Sequence, residues 1–351
     1  MIRLNMYGWN DRLNQLKQES AYNTLSHGRI AIVHRTCYEV ISDSGLYQCE
    51  LTGNMMYGKS DFELPCTGDW VLFQPFDDSK GIIVGMLPRE RTLYRKRNGT
   101  VAGKQAIVSY VDKAFIVQSL DDNFNIRRVE RFMVQILEEN IHPVLILNKA
   151  DLPFDKQETE EAIRHLTCRM PVFFTSIHHP ETVSRLRDSI SEGETVVFVG
   201  SSGVGKSSLV NALCERSVLQ TSDISQSTGK GRHTSTRREM VLMDGSGVLI
   251  DTPGIREFGL TVDNPDSLAE MLEISNYAES CRFKDCTHTN EPGCAVLEAV
   301  AEGSLDIKVY ESYLKLKREA WHFSASEHEK RKKEKSFTKL VEEVKRRKAD
   351  S

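Results

Sequence analysis

A glycine-rich segment in the second half of the chain has the residue types and spacing of a phosphate-binding loop. It runs Gly200-Ser-Ser-Gly-Val-Gly205-Lys206-Ser207, matches the pattern G-x4-G-K-[ST], and directly follows the apolar run Thr195–Val199. In such a loop the backbone N–H groups turn toward phosphates, the lysine reaches the β- and γ-phosphates, and the hydroxyl binds Mg2+. The residues predicted to bind a nucleotide here are Gly200, Ser201, Ser202, Gly203, Val204, Gly205, Lys206, Ser207 and Ser208, with Ser207 on magnesium.

Two polar segments downstream supply the other groups that a bound triphosphate and its magnesium ion require. The sequence Asp251-Thr-Pro-Gly254 follows the apolar run Val248–Ile250, at a distance that suits a magnesium-side Asp and a Gly that senses the γ-phosphate. The segment Arg232–Thr236 lies between it and the phosphate loop, in the place of a switch whose hydroxyl completes the magnesium shell. The sequence leaves open which hydroxyl this is: Thr234, Ser235 or Thr236.

The tetrapeptide Asn148-Lys-Ala-Asp151 points to the base of the nucleotide. It ends the apolar run Val144–Leu147, at the strand end where open α/β sheets bind ligands. A carboxylate there accepts both N–H groups of guanine's N1 and N2 edge, whereas adenine lacks this donor pair and would leave a buried carboxylate unpaired. We therefore expect this tetrapeptide to bind the guanine base, and a second segment to support the base from behind. The residues are Asn148, Lys149, Ala150 and Asp151, then Thr175 and Ser176.

The position that usually orients the attacking water, directly after the Asp-x-x-Gly motif, holds an unusual residue in this chain. Ras-like enzymes place a Gln directly after the Asp-x-x-Gly motif, but Ile255 stands there and offers no hydrogen bond. His233, in the switch segment, is the predicted catalytic residue because an imidazole orients or polarises water near neutral pH. Arg232 and Arg237 are the alternatives, as groups that stabilise charge in the transition state.

Three cysteines and a histidine crowd into one short window of the C-terminal third. The pattern Cys281-x4-Cys286-x-His288-x5-Cys294 offers three thiolates and one imidazole, the closed tetrahedral donor set of a structural zinc site. With eight cysteines in 351 residues, the chain is too poor in cysteine to be a disulfide scaffold. The sequence therefore predicts one structural Zn2+ in a protein of the reducing cytoplasm.

The elements that position these residues change character along the chain. Five short β-rich runs separated by turn residues predict a small barrel, and the pattern alone leaves the OB and SH3 types open. The basic stretch Pro88–Lys104 is expected to be a linker or a mobile loop. From about Ala106, apolar runs alternate with helical patterns such as Ile126–Leu137, which predicts a parallel sheet covered on both faces. The five β-rich runs are Arg29–Val33, Tyr38–Ser42, Leu46–Thr52, Asp69–Phe73 and Gly81–Met86.

Length and charge limit the classes of protein that fit. The chain of 351 residues exceeds the roughly 250 that one core usually supports, so several domains are expected. A membrane span is not expected, because no apolar run approaches the roughly 20 residues that a membrane helix needs. Ten Lys/Arg and four Asp/Glu between Glu329 and Lys348 make a basic tail on a chain of net charge −4. Such a tail indicates an anionic partner, most often nucleic acid in the cytosol, or else a solvated helix face.

The motifs also occur in an unusual order. In Ras-like GTPases the phosphate loop precedes the Asn-Lys-x-Asp motif, but here Asn148 precedes Gly200 by about fifty residues, which indicates a circularly permuted domain. With a small barrel before these motifs and the Cys-Cys-His-Cys cluster after them, the chain resembles the small-subunit-dependent GTPases of the RsgA/YjeQ type over about residues 28–320. Ser235 departs from that family, which more often has an unbroken Thr run in the switch.

The resemblance implies an N-terminal OB-fold barrel, a circularly permuted α/β P-loop GTPase domain and a C-terminal helical zinc-binding domain. The expected boundaries are 1–27 for a leader that matches nothing in the family, 28–95 for the barrel, 105–260 for the GTPase domain, and 261–351 for the zinc domain with its basic tail. The cofactors implied are Mg2+ and one structural Zn2+.

The resemblance also implies an activity and a partner. The expected activity is GTP hydrolysis stimulated by the small (30S) ribosomal subunit and coupled to late maturation of that subunit, through rRNA binding and nucleotide-dependent release. We expect a cytoplasmic monomer without membrane contact. One alternative is an RNA-binding assembly scaffold with GTP as a mainly structural ligand. A tRNA-modification GTPase is a third possibility, disfavoured because the sequence has no second catalytic constellation.

Overall fold

Two compact units make up the chain, Met1–Gly259 and Leu260–Ser351. The structure is a computed structural model that describes residues 2–57, 62–96, 104–121, 123–167, 169–215, 239–251, 272 and 274–324. The first unit contains the N-terminal leader, a barrel and an α/β sheet, and the described part of the second unit is helical.

The leader, which the sequence analysis left without an assigned structure, is helical. A 3-10 helix spans Leu4–Tyr7 and helix α1 spans Asp11–Glu19. The Asn10 side chain accepts a hydrogen bond from the Leu13 N–H at 3.0 Å, which satisfies a donor that the first turn of a helix leaves without a partner. Leu4 and Leu13 are buried, so the leader packs as part of the first unit.

The five β-rich runs form strands that close into a barrel of the OB type. They are β1 (Ser26–Val33), β2 (Tyr38–Ser42), β3 (Gly45–Leu51), β4 (Trp70–Asp77) and β5 (Lys80–Met86), with the short helix α2 (Gly53–Met56) after β3. Their order is β1-β2-β3-β5-β4, and β1 also pairs with β4, which closes the sheet. The pairing of β3 with β5 is parallel and the others are antiparallel. This five-stranded closure decides for the OB type over the SH3 type.

Side chains from all five strands fill the barrel. Alternation along the strands places every second residue inside, because successive side chains of a strand point to opposite faces. The interior residues include Ile30, Val40, Cys49, Phe73 and Ile83, each with no exposed surface.

The expectation of a linker or mobile loop from Pro88 to Lys104 was wrong for Leu93–Lys96 and for Lys104, which lie in strands, and residues 97–103 lie outside the described part of the chain. Strands β6 (Leu93–Lys96) and β7 (Lys104–Val108) pair antiparallel in a separate two-stranded sheet. Leu93 and Ile107 are buried and anchor this pair. The Lys and Arg residues of the run made it resemble a loop.

A mainly parallel sheet flanked by helices follows the strand pair. Its elements are β8 (Lys113–Ser119), α3 (Ile126–Glu138), β9 (His142–Asn148), α4 (Lys156–Thr167), β10 (Val172–Thr175), α5 (Pro180–Asp188), β11 (Thr195–Val199), α6 (Lys206–Leu213), β12 (Glu239–Leu242) and β13 (Val248–Asp251). The spatial order is β10-β9-β8-β11-β13-β12. Neighbours are parallel except for β12, which pairs antiparallel with β13. Strands β9 and β11 are far apart in sequence, but only β8 lies between them in the sheet. The base segment after β9 and the phosphate loop after β11 therefore lie close together.

The central strands are buried along almost their whole length because helices cover the sheet. Every residue of β11 is buried, and so is every residue of β8 after Lys113. Phe115 and Phe198 meet edge to face with ring centroids 5.3 Å apart, in a core cluster that also contains Leu209 and Leu213 of α6. This core holds the strand ends in place.

Strand β12 was not predicted, and it connects the barrel to the α/β sheet. It pairs with β13 on one side and with β1 of the barrel on the other, where Ile32 faces Glu239. The barrel and the α/β strands therefore belong to one continuous sheet of eleven strands.

A buried arginine makes a second connection between the barrel, the leader and the α/β region. The Arg29 side chain is 1% exposed and donates to the carbonyl oxygens of Gly68, Tyr7 and Tyr110. It also donates to Thr195 Oγ1 at 2.8 Å, at the start of β11. Burial lowers the pKa of Arg29 to about 10, which leaves the guanidinium charged at neutral pH.

The described part of the second unit consists of three helices, α7 (Ser275–Ala278), α8 (Ala295–Glu302) and α9 (Ile307–Ser324). Gly303 ends α8 in the left-handed conformation, with φ +77°, as glycine commonly does at a helix C-terminus. Val296 and Tyr313 are buried within this unit. Across the parts of the chain that the structure describes, no helix combines the length and apolarity needed to span a membrane.

Candidate active site and metal centre

The carboxyl ends of the parallel strands meet along one edge of the α/β sheet. Ser119 at the end of β8 pairs with Asn148 at the end of β9, and Asn148 pairs with Thr175 at the end of β10. On the other side of β8, strand β11 ends at Val199, and β13 runs parallel to β11 and ends at Asp251. Ligands of open parallel sheets bind at this edge. The predicted phosphate, base and magnesium segments all begin there.

The phosphate loop is a tight turn between β11 and α6 in which glycine is required. Gly200 and Gly205 have φ angles of +147° and +92°, a backbone region that other residues rarely adopt. A Cβ at Gly200 would lie 2.4 Å from the Val117 carbonyl oxygen. A Cβ at Gly205 would lie 2.3 Å from Nδ2 of Asn148, which is buried. The loop therefore packs against both β8 and the base segment.

The lysine of the loop folds back over it. Lys206 is the first residue of α6, and its Nζ donates to the carbonyl oxygens of Gly200 and Ser201 at 2.8 and 2.6 Å. The N-terminal end of α6 adds the partial positive charge of its free N–H groups. Ser207 and Ser208 lie in the first turn of α6 and are partly exposed. These features together suit an anion inside the loop.

Asn148 joins the base segment to the phosphate loop. Its side chain is 3% exposed, its Nδ2 donates to the Val204 carbonyl oxygen at 2.8 Å, and its Oδ1 accepts from Thr175 Oγ1 at 3.1 Å. The Ala150 N–H donates to the Thr175 carbonyl oxygen at 3.0 Å. One buried amide thus holds three separately predicted segments in a common position.

Asp151 is exposed, and Ser176 orients its carboxylate. Ser176 Oγ donates to Asp151 Oδ1 at 2.5 Å, and this hydrogen bond holds the pKa of Asp151 below its ordinary value. Ser176 itself is 1% exposed and accepts the His178 N–H, so its hydroxyl has a fixed position. An ionised, exposed carboxylate at this edge is able to accept two N–H groups from a ligand.

Lys149 is anchored by a residue that the sequence did not single out. Its backbone is left-handed, with φ +62°, and its Nζ donates to Asp121 Oδ2 at 2.8 Å. Burial alone would raise the pKa of Asp121, but hydrogen bonds from Lys149, Ser119 and the Asn123 N–H outweigh it and hold the pKa below its ordinary value. A signal was present in the sequence, because a polar run directly follows β8 at the ligand-binding edge.

The remaining predicted residues of the nucleotide site lie outside the described residues or are placed only by their backbone. His233, Thr234, Ser235 and Gly254 lie in residues 216–238 and 252–271, outside the described part of the chain. Asp251 is the last residue of β13 and therefore reaches the same edge as the phosphate loop.

The second unit brings together the four predicted metal ligands. The ligand atoms of Cys281, Cys286, His288 and Cys294 all lie within 4.8 Å of one another. His288 Nδ1 lies 3.6 Å from Cys281 Sγ and 3.5 Å from Cys294 Sγ, and the two sulfurs are 3.9 Å apart. Cys294 and His288 are buried. His288 has a φ of +61°, and its carbonyl oxygen accepts from Tyr310 Oη of α9 at 2.7 Å.

These distances agree with a tetrahedral metal site. With metal–sulfur and metal–nitrogen bonds of about 2.3 and 2.05 Å, the edges of a tetrahedron measure about 3.8 Å between sulfurs and about 3.6 Å between sulfur and nitrogen. The three separations among Cys281, His288 and Cys294 lie within about 0.1 Å of these edges, and Cys286 Sγ lies within 4.8 Å of all three. Three thiols and an imidazole in this arrangement leave no open position for a substrate, so the cluster has the form of a structural site.

The comparisons with known proteins agree with this geometry. A model of the family described as RsgA GTPase matches residues 86–261. The chain is 74% identical to the small ribosomal subunit biogenesis GTPase RsgA 1 of Bacteroides thetaiotaomicron, over 99% of this chain and 98% of that one. The chain belongs to the RsgA GTPase family.

Solved structures show the same fold. YjeQ from Thermotoga maritima aligns with a TM-score of 0.65 at 24% identity, over 84% of this chain and 98% of that chain. YloQ, described as a circularly permuted GTPase, aligns with a TM-score of 0.63 at 24% identity, over 87% and 98%. The predicted architecture of this RsgA family member, an OB-fold barrel followed by a circularly permuted P-loop domain and a Cys3His cluster, is thereby confirmed.

Proposed function

We propose that this chain is a GTPase that couples GTP hydrolysis to maturation of the small ribosomal subunit. The observation that carries the proposal is the buried Asn148 amide, because it joins a guanine-type base segment to a phosphate loop. The 74% identical relative named a small ribosomal subunit biogenesis GTPase supports the partner.

Each part of the edge has a distinct role in this proposal. The Asp151 carboxylate accepts the two N–H groups of guanine, and Lys149, fastened by Asp121, lies along the base. The backbone N–H groups of the loop Gly200–Gly205 surround the phosphates, and Lys206 leaves its carbonyl partners to bind the β- and γ-phosphates. Thr175 and Ser176 support the base segment from β10.

A magnesium ion, when bound, neutralises charge on the phosphates during hydrolysis. The residues that would hold it are Ser207 in the first turn of α6 and Asp251 at the end of β13, joined by Thr234, Ser235 or Thr236 from the switch. Both Ser207 and Asp251 stand at the edge that the phosphate loop occupies. Gly254 is proposed to sense the γ-phosphate through its backbone.

His233 is proposed to orient the attacking water, because Ile255 cannot do so. An imidazole beside the switch hydroxyls accepts or donates a hydrogen bond to water near neutral pH. Arg232 and Arg237 are the competing candidates, as charges that stabilise the transition state.

Zinc is the metal proposed for the Cys3His cluster. Thiolate and imidazole ligands at tetrahedral spacing favour Zn2+, and a closed shell of this kind contributes folding free energy and not catalysis. The basic segment Glu329–Lys348, which lies outside the described residues, and the OB barrel are proposed to contact rRNA. A cytoplasmic, monomeric protein is consistent with these roles.

The alternative function is an RNA-binding scaffold in which GTP is a static ligand. GTP turnover measured with and without purified small subunits separates the two. A GTPase of the proposed kind turns over slowly alone and faster with small subunits, whereas a scaffold shows no stimulation.

A further inference from the structure

The connection between β8 and α3 touches both ends of the nucleotide site. At one end, Asp121 accepts from Lys149 Nζ at 2.8 Å, and its other oxygen accepts from the Asn123 N–H at 3.0 Å. At the other end, Asn123 Nδ2 donates to Ser201 Oγ at 3.3 Å and to the Ser202 carbonyl oxygen at 3.4 Å. A single short segment therefore contacts the base tetrapeptide and the phosphate loop.

Arg128, in the first turn of α3, completes this contact. Its Nη1 donates to Ser201 Oγ at 2.8 Å and to the Asn123 side-chain oxygen at 3.1 Å. Asn125 begins α3 by accepting the Arg128 N–H at 3.2 Å, which places the arginine at the start of the helix. The guanidinium is thus held beside the second residue of the phosphate loop.

Within the described residues, the positive charge of Arg128 has no carboxylate partner. Cations are disfavoured in the first turn of a helix, because the free N–H groups there already carry partial positive charge. The first turn of α3 contains Arg127 and Arg128 and no acidic residue. An anion in the adjacent loop would supply the missing negative charge.

We propose that Arg128 is a positioning residue for the nucleotide phosphates. It acts through Ser201, whose hydroxyl it holds so that the following N–H groups of the loop converge, and it adds positive charge beside the phosphates. Asn123 and Asp121 connect it to Lys149, so that the same segment sets the position of the base and phosphate ends together. This inference rests on the proposed binding of guanine nucleotides.

The test measures equilibrium binding of GDP and of a non-hydrolysable GTP analogue, with Mg2+, to the full chain. Arg128→Ala is expected to weaken both nucleotides roughly tenfold or more, the usual effect of losing a hydrogen bond to a charged group. Arg127→Ala is the matched control, because Arg127 is exposed on the same helical turn and makes no contact with the loop. Its affinity is expected to equal that of the wild type.

Two further variants separate positioning from general stability. Ser201→Ala removes the hydroxyl through which Arg128 acts, so the double variant with Arg128→Ala should bind no more weakly than the weaker single variant. Arg128→Lys keeps the charge and one donor, and should recover part of the lost affinity. The unfolding midpoint of ligand-free Arg128→Ala is expected to match that of Arg127→Ala, which a purely structural role would not give.

Each outcome decides a different claim. Equal affinity in Arg128→Ala and wild type overturns the inference, and so does an affinity loss that adds to that of Ser201→Ala. A lowered unfolding midpoint with unchanged affinity also overturns it, in favour of a structural role. If the wild-type protein itself binds no guanine nucleotide, the proposed function fails, and that result is distinct from failure of the Arg128 variant alone.

Discussion

The nucleotide edge of the α/β sheet and the Cys3His cluster are both sets of polar ligands, but the protein holds them in different ways. At the edge, the groups stand at the ends of strands with fully buried side chains such as Phe115 and Phe198. Hydrogen bonds within the protein then hold them, as Asn148 does with Val204. The protein's own hydrogen bonds and core therefore set the positions of the groups at this edge.

The cluster has far less of the protein's own structure to support it. Its four ligands come from fourteen consecutive residues, Cys281–Cys294, with no strand among them. Three thiols and an imidazole have little attraction for one another without a cation. The buried apolar side chains in the described part of the second unit are Leu272, Ile274, Val296, Ala299, Leu305, Tyr313 and Leu316.

The difference shows that the ligand has a different role in each region. At the sheet edge the hydrophobic core supplies the order and the ligand is bound by it. In the cluster, we expect the proposed metal to supply order that the few buried apolar side chains of the described part of this unit do not, as in many small metal-stabilised domains. Removing a ligand should therefore empty the first site and unfold the second.

The largest expected effect is at the metal. Cys286→Ser, or exhaustive chelation, should release zinc and unfold the cluster, because structural zinc contributes roughly 10 kcal/mol or more to small domains. We expect amide hydrogens of residues 274–324 to exchange rapidly while those of β8 and β11 stay protected. Hydrogen exchange with mass spectrometry, together with metal analysis, measures this.

A matched control is Cys37→Ser, which removes a partly exposed thiol between β1 and β2. It should leave metal content and exchange unchanged. If pure wild-type protein contains no stoichiometric zinc, or if Cys286→Ser leaves the second unit as protected as before, the metal has no such role.

Arg29→Met should have the next largest effect, and in the other unit. The substitution leaves the buried carbonyl oxygens of Gly68, Tyr7 and Tyr110 without their donor, at a cost of about 3 kcal/mol in the free energy of unfolding. Urea denaturation of the first unit measures the loss, and zinc content should not change.

Arg12→Ala is the control for this substitution. The Arg12 side chain is 74% exposed and pairs with Glu90 at 2.7 Å. Exposed pairs of this kind are worth less than about 1 kcal/mol. Equal stability of the Arg29 and Arg12 variants would contradict the role given to the buried arginine.

The smallest expected effect concerns rate and leaves both folds unchanged. His233→Ala should retain nucleotide affinity and lower turnover in the presence of small subunits by roughly 10^2-fold, a typical loss for a positioned acid–base group. Single-turnover hydrolysis measures it. Full stimulated turnover in the variant would contradict a catalytic role for His233 and favour Arg232, Arg237 or a group of the rRNA.

The sequence predicted the strands and loops of the site because each has a strong local pattern. The run Thr195–Val199 is apolar throughout and became β11, and the helical spacing from Ile126 became α3. Gly200 and Gly205 fulfil the requirement that their spacing implied, since neither position has room for a Cβ.

The features that could not be predicted from the sequence are those that depend on pairing between distant segments. The choice between OB and SH3 types depended on the closure of β1 with β4 and the parallel pairing of β3 with β5, which local alternation does not encode. Arg29 resembled an ordinary strand residue, because its partners are carbonyl groups from three separate parts of the chain. Arg128 was missed because its partner in the phosphate loop, Ser201, is distant in the sequence.

The central claim, that a guanine site at the sheet edge drives subunit-dependent hydrolysis, is tested most directly by Asp151→Asn. An amide in place of this carboxylate keeps one oxygen for the N1–H of the base, while its NH2 group should donate to the extra carbonyl of xanthine and can no longer accept the N2–H of guanine. Turnover is measured with small subunits and with either GTP or XTP. The account predicts that the wild type hydrolyses GTP and that the variant hydrolyses XTP, both stimulated by small subunits. Stimulated GTP hydrolysis by the variant at the wild-type rate would contradict it.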